Sequence, residues 1–70
     1  MAVKALGTLS RQDIRLIAAH AEVDPRTVAR IAGGGAAHRA TQRAVVHAMR
    51  AAGFPRAAIE LEQTIEKEGS

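Results

Sequence analysis

A chain of 70 residues makes one small domain, and at that size folding buries only about 60% of the surface that the unfolded chain exposes. Five Val, five Ile, four Leu, two Met and one Phe, beside 16 Ala, fill one thin core and leave no room for a deep substrate cavity with its supporting shell, which argues against an enzyme. Ten Lys and Arg against seven Asp and Glu give a net charge of +3, and the absence of Cys excludes a disulfide scaffold and a thiolate metal site.

Residues 1–9 read as an N-terminal arm with Lys4 as its one charge, too short in its apolar run for a signal peptide or a membrane span. A soluble, cytoplasmic, nucleoid-associated protein is expected. Ser10 with Asp13 three residues later is a capping box that opens a first helix. At 100° per residue, Ile14, Ile17, Ala18 and Ala21 form one apolar stripe, and Leu16 and His20 fall off it.

Asp24-Pro25 starts a second helix, since Asp caps well and Pro suits the first helical position, where no amide donor is needed. Gly33-Gly34-Gly35 ends it near Ala32. The triple glycine is not a phosphate loop, because no Lys-Ser or Lys-Thr follows and no strand precedes it. On this second helix Val28, Ile31 and Ala32 share the buried side, while Arg26 and Arg30 fall at about 160° and 200° from Val28. Two like charges four residues apart repel slightly. Facing a major groove, the same pair can take guanine O6 and N7 or phosphates.

A third helix is expected from about Thr41, with Val45, Ala48, Met49 and Ala52 on one face and a left-handed stop at Gly53. Its polar side carries Arg43, His47 and Arg50, either as backbone contacts to DNA or as plain solvated surface, and His38 and Arg39 precede it. Pro55 opens a fourth helix through Ile59, Leu61 and Ile65. The charge divides here. Lys4 and eight Arg against three acids leave residues 1–56 at +6, whereas four Glu against Lys67 leave residues 57–70 at −3. Ala58, Leu61 and Ile65 share one stripe of this acidic helix, which either caps the monomer core or forms a homodimer contact on the side away from DNA. The three histidines are too scattered for a metal site, and no cofactor is expected.

The stretch Leu16-Ile17-Ala18-Ala19-His20-Ala21-Glu22-Val23-Asp24-Pro25-Arg26-Thr27-Val28-Ala29-Arg30-Ile31, followed by Thr41-Gln42-Arg43-Ala44-Val45, Ala48-Met49 and Gly53-Phe54, resembles the DNA-binding headpiece of lactose-repressor-type regulators. That family lies within the lambda-repressor-like helix-turn-helix group. The resemblance covers residues 13–54. It implies an all-α helix-turn-helix fold over residues 10–54, with residues 25–32 as the recognition helix in the major groove; the acidic helix over residues 55–70 lies beyond the resemblance, and its four glutamates argue against the minor-groove hinge helix that follows the headpiece in that family. By the same resemblance Pro25, Arg26 and Ala29 take base-reading positions, Thr27 touches a phosphate, Arg30 reaches a base or the backbone, and Thr41 holds a phosphate. Glu22 stands where the family usually has Gly and Asp24 replaces a Ser, and no ligand-sensing domain is expected.

The expected function is sequence-specific binding of double-stranded DNA by a homodimer on a palindromic operator, as a small transcriptional repressor without a small-molecule effector domain. The base and phosphate contacts are assigned to Pro25, Arg26, Thr27, Ala29, Arg30, Arg39, Thr41 and Arg43. The alternatives are a protein-interaction module, such as an antitoxin or adaptor, and an excisionase-like architectural DNA-binding protein.

Overall fold

The computed structural model describes residues 5–68. A single 3₁₀ turn, Leu6–Thr8, precedes four helices: α1 (Arg11–Ala21), α2 (Pro25–Ala32), α3 (Arg39–Ala51) and α4 (Pro55–Glu68). No strand occurs among the described residues, and no helix among them is long and apolar enough to cross a membrane.

The helix boundaries follow from local chemistry. At the start of α1 the Asp13 amide donates to Ser10 Oγ at 3.2 Å while the Ser10 amide donates to Asp13 Oδ2 at 2.9 Å, so the capping box is complete. The helix ends at Glu22, which takes the left-handed conformation with φ 57° and ψ 40°. This lets the Val23 amide reach back to the Ala18 carbonyl at 3.1 Å. Three residues therefore reverse the chain, and a residue with a Cβ sits where glycine is cheapest.

Asp24 then caps α2 through the Arg26 amide, at 2.8 Å, with Pro25 at the first helical position. Gly53, at φ 94°, closes α3, and the Phe54 amide bonds the Met49 carbonyl at 2.7 Å. The Phe54 carbonyl accepts from Ala58 at 3.1 Å, so α4 begins at once.

The start of α3 differs from the expectation. The helix begins at Arg39, two residues before Thr41, behind an extended His38 whose side chain makes no capping bond. Arg39 and Ala40 are good helix formers and extend the helix backward. Thr41 thus lies half-buried in the first turn.

The core unites all four helices: Ile17 and Ala18 from α1, Val28 and Ile31 from α2, Val45, Val46, Ala48 and Met49 from α3, and Ala57, Ala58 and Leu61 from α4. Helix α3 packs against α4 and α1, and the principal neighbour of α2 is α1. One buried face thus holds α2 while its other side is open.

This packing bears on two expectations. Ala58 and Leu61, assigned to a dimer contact, are 0% and 1% exposed within the single chain, and Ile65 packs half-buried against the same core. Helix α4 packs on α3 and on the Leu6–Thr8 turn of its own chain, because the turn at Gly53 folds it onto α3, and the stripe thereby takes the monomer-capping role. Residues 5–9 of the N-terminal arm lie against the core. Leu6 and Leu9 pack against the core, and the Leu6 amide donates to the Glu60 carboxylate on α4. Residues 1–4 of the expected arm lie outside the described residues.

Candidate nucleic-acid interface

The site is built on α2, a helix of eight residues with a single buried edge. Val28 is 0% and Ile31 2% exposed, which fixes the rotation of the helix about its axis. Pro25, Arg26, Ala29 and Arg30 are consequently exposed together, and Thr27 lies half-buried at their flank. Neither Arg26 nor Arg30 has a side-chain hydrogen bond or ion pair among the described residues. Four residues apart on a helix, their Cβ atoms stand about 6 Å from each other. Two unpaired guanidinium groups therefore project from one open face.

The N-terminal end of α2 carries a carboxylate as well. Asp24 turns one oxygen into the helix to cap the Arg26 amide, so the positive helix terminus already has an anion of its own. A phosphate is left with the side chains of α2 and not with its first amides. Glu22 is exposed in the turn just before.

At the other end of α2 the glycines have distinct tasks. The Gly34 amide bonds the Ile31 carbonyl at 3.1 Å and the Gly35 amide bonds the Arg30 carbonyl at 2.7 Å, with Gly34 at φ 90°. The triple glycine is an ordered helix end, a Schellman turn in which only the middle residue needs the left-handed conformation.

The α3 residues divide into two groups. Arg39 is exposed in the first turn, next to half-buried Thr41. Arg43 and His47 instead share a groove with Glu62 and Glu66 of α4, and Arg50 pairs with Glu62 at 2.6 Å. The acidic helix therefore does not stand apart from the basic body. Its carboxylates lie along the polar side of α3 and offset the cations there. Of the two roles open to Arg43, His47 and Arg50, this neighbourhood disfavours the approach of a polyanion, because each phosphate would meet glutamates as well as arginines.

No family model, curated protein or solved structure matches the chain.

Among the described residues no three of His, Cys, Asp or Glu stand close enough to hold a metal ion. The distinguishing feature is a short helix, braced on one side and carrying two free arginines on the other. Sequence reasoning placed Arg26, Arg30, Ala29 and Pro25 together. It missed the pairing of Arg50 with Glu62, for which no local spacing gives a signal, and the contact of Gly35 with Arg30.

Proposed function

We propose that the protein binds double-stranded DNA as a small sequence-specific transcriptional repressor. In this reading α1 and α2 form a lambda-repressor-like helix-turn-helix, and α2 lies in the major groove. One observation carries it: Arg26 and Arg30 are unpaired and exposed on the side of α2 opposite buried Val28 and Ile31. Arginine forks match guanine O6 and N7 bidentately and also match phosphates. Pro25 and Ala29, small and exposed beside them, let the helix approach base edges closely. Arg39 and Thr41 supply backbone contacts at the start of α3, and Arg43 is the weakest member of the assigned set because of Glu62 and Glu66.

Salt-dependent binding tests this reading. The affinity for duplex DNA, measured by fluorescence anisotropy, should fall linearly in log K against log salt, with a slope of about −0.9 for each phosphate neutralised. Binding to one preferred duplex should also survive an excess of competitor DNA. A protein that shows no binding at low salt is not a DNA-binding protein, and one that binds every duplex equally is architectural.

A second reading has one observation in its favour. Leu16 is 47% exposed on the outer face of α1, where a solvated helix has no need of it. A protein-interaction module would dock its partner there. Leu16→Ser would then abolish partner capture and leave DNA affinity unchanged.

A further inference from the structure

Gly35 lies outside α2, yet its position is defined by Arg30. Its amide donates to the Arg30 carbonyl at 2.7 Å. A Cβ built on Gly35 would run into Arg30 Cγ and stand 3.2 Å from Arg30 Cδ and 2.9 Å from the Arg30 carbonyl oxygen. The Arg30 stem therefore lies across the bare α-carbon of Gly35, and any side chain there would lift it off. The neighbouring glycine behaves differently. Gly34 needs its left-handed conformation, but a Cβ on it would meet nothing within 4 Å. The two glycines thus differ: Gly34 is required by its backbone conformation alone, whereas a Cβ on Gly35 would meet both the Arg30 stem and the Arg30 carbonyl oxygen.

We propose that Gly35 is a positioning residue for Arg30: its missing side chain forms a seat that restricts the Arg30 stem and aims the guanidinium from the exposed face of α2. The inference rests on the DNA-contact reading of Arg30. A free arginine loses several rotatable bonds of freedom when it grips a base or a phosphate, and a stem already held loses fewer. Gly35 acts through that saving and touches no DNA itself. Its effect should appear in the affinity for the preferred sequence and vanish when Arg30 is removed.

A double-mutant cycle tests this, using a duplex selected by the wild-type protein from a random pool. Binding is measured for the wild type, Gly35→Ala, Arg30→Ala and the double variant, with Gly34→Ala as the control that strains the same turn without contacting Arg30. Circular dichroism melts fix a temperature at which every variant is folded. Gly35→Ala should weaken binding roughly three- to tenfold in the wild-type background and not at all in the Arg30→Ala background. Gly34→Ala should lower the melting temperature and leave affinity at the folded temperature unchanged. Equal weakening by Gly35→Ala in both backgrounds, or none in either, would overturn the positioning role alone. Arg30→Ala binding as tightly as wild type would overturn the recognition reading, and the role of Gly35 at DNA with it. Should Gly35→Ala fail to fold, three-bond couplings about the Arg30 side chain in the wild type decide: one dominant rotamer is expected, and fully averaged couplings contradict the seat.

Discussion

Replacing Leu61 by Ala on α4 separates a helix that completes its own monomer from one that waits for a second copy. Leu61 is 1% exposed in the core shared with α1 and α3. The substitution deletes three carbons, about 2.4 kcal/mol of transfer free energy at about 0.8 per buried methylene, and the cavity left behind raises the cost to about 3–4 kcal/mol. A domain of this size has a total stability of about 4–10 kcal/mol, so the loss takes a third or more of it. At about 4–8 °C per kcal/mol for small domains, the melting temperature should drop by at least about 12 °C. Ile59, two residues earlier on the same helix but 50% exposed, should cost under about 1 kcal/mol when truncated. The assay is thermal unfolding by circular dichroism over a hundredfold range of protein concentration. An intrachain core predicts midpoints independent of concentration for both proteins. A wild-type midpoint that rises with concentration, together with a Leu61→Ala protein that melts like wild type at the lowest concentration, would refute the intrachain assignment.

Other outcomes follow from the same geometry. Arg26→Ala and Arg30→Ala should each weaken binding to the preferred duplex by about 1–3 kcal/mol, read by anisotropy at fixed salt; a contact to phosphate alone would instead weaken all duplexes alike and reduce the salt slope. Glu22→Gly relieves the left-handed strain in the turn and should hold or raise stability by up to about 1 kcal/mol, whereas a β-branched Val there should lower it, both read from denaturant midpoints. Gly53→Ala, forced to φ 94°, should lose about 1–2 kcal/mol in the same assay. Arg50→Ala breaks the exposed pair with Glu62 and should change stability by less than about 1 kcal/mol; a larger loss would mean that the pair anchors α4.

The parts of this fold legible in the sequence are those set by neighbours along the chain. Ser10 and Asp13, Asp24 and Pro25, and Gly53 announce helix ends because capping is settled within four residues. The wheel of α2 predicts its exposed arginines because one rotation buries Val28 and Ile31 together. What a stripe packs against is a different matter. Ala58 and Leu61 announce an apolar face, but periodicity does not say whether the facing surface belongs to the same chain, and here it does. Ala57, fully buried, was missed for a related reason: its small side chain adds little to the periodic signal. The Leu6 amide bond to Glu60 joins residues 54 apart, and Arg50 meets Glu62 only after Gly53 turns the chain. A homodimer thus loses its support in the α4 stripe, and the spacing of half-sites in preferred duplexes becomes the way to read whether two copies bind together.

Selection of duplexes from a random pool by the wild type and by the Arg26→Ala, Arg30→Ala double variant tests the central claim most directly. If α2 reads the major groove, the wild type should enrich a defined motif containing guanines, and the double variant should enrich none or a changed one while retaining its fold by circular dichroism. The same motif enriched equally by both proteins, or no motif enriched by the wild type, would contradict recognition through α2.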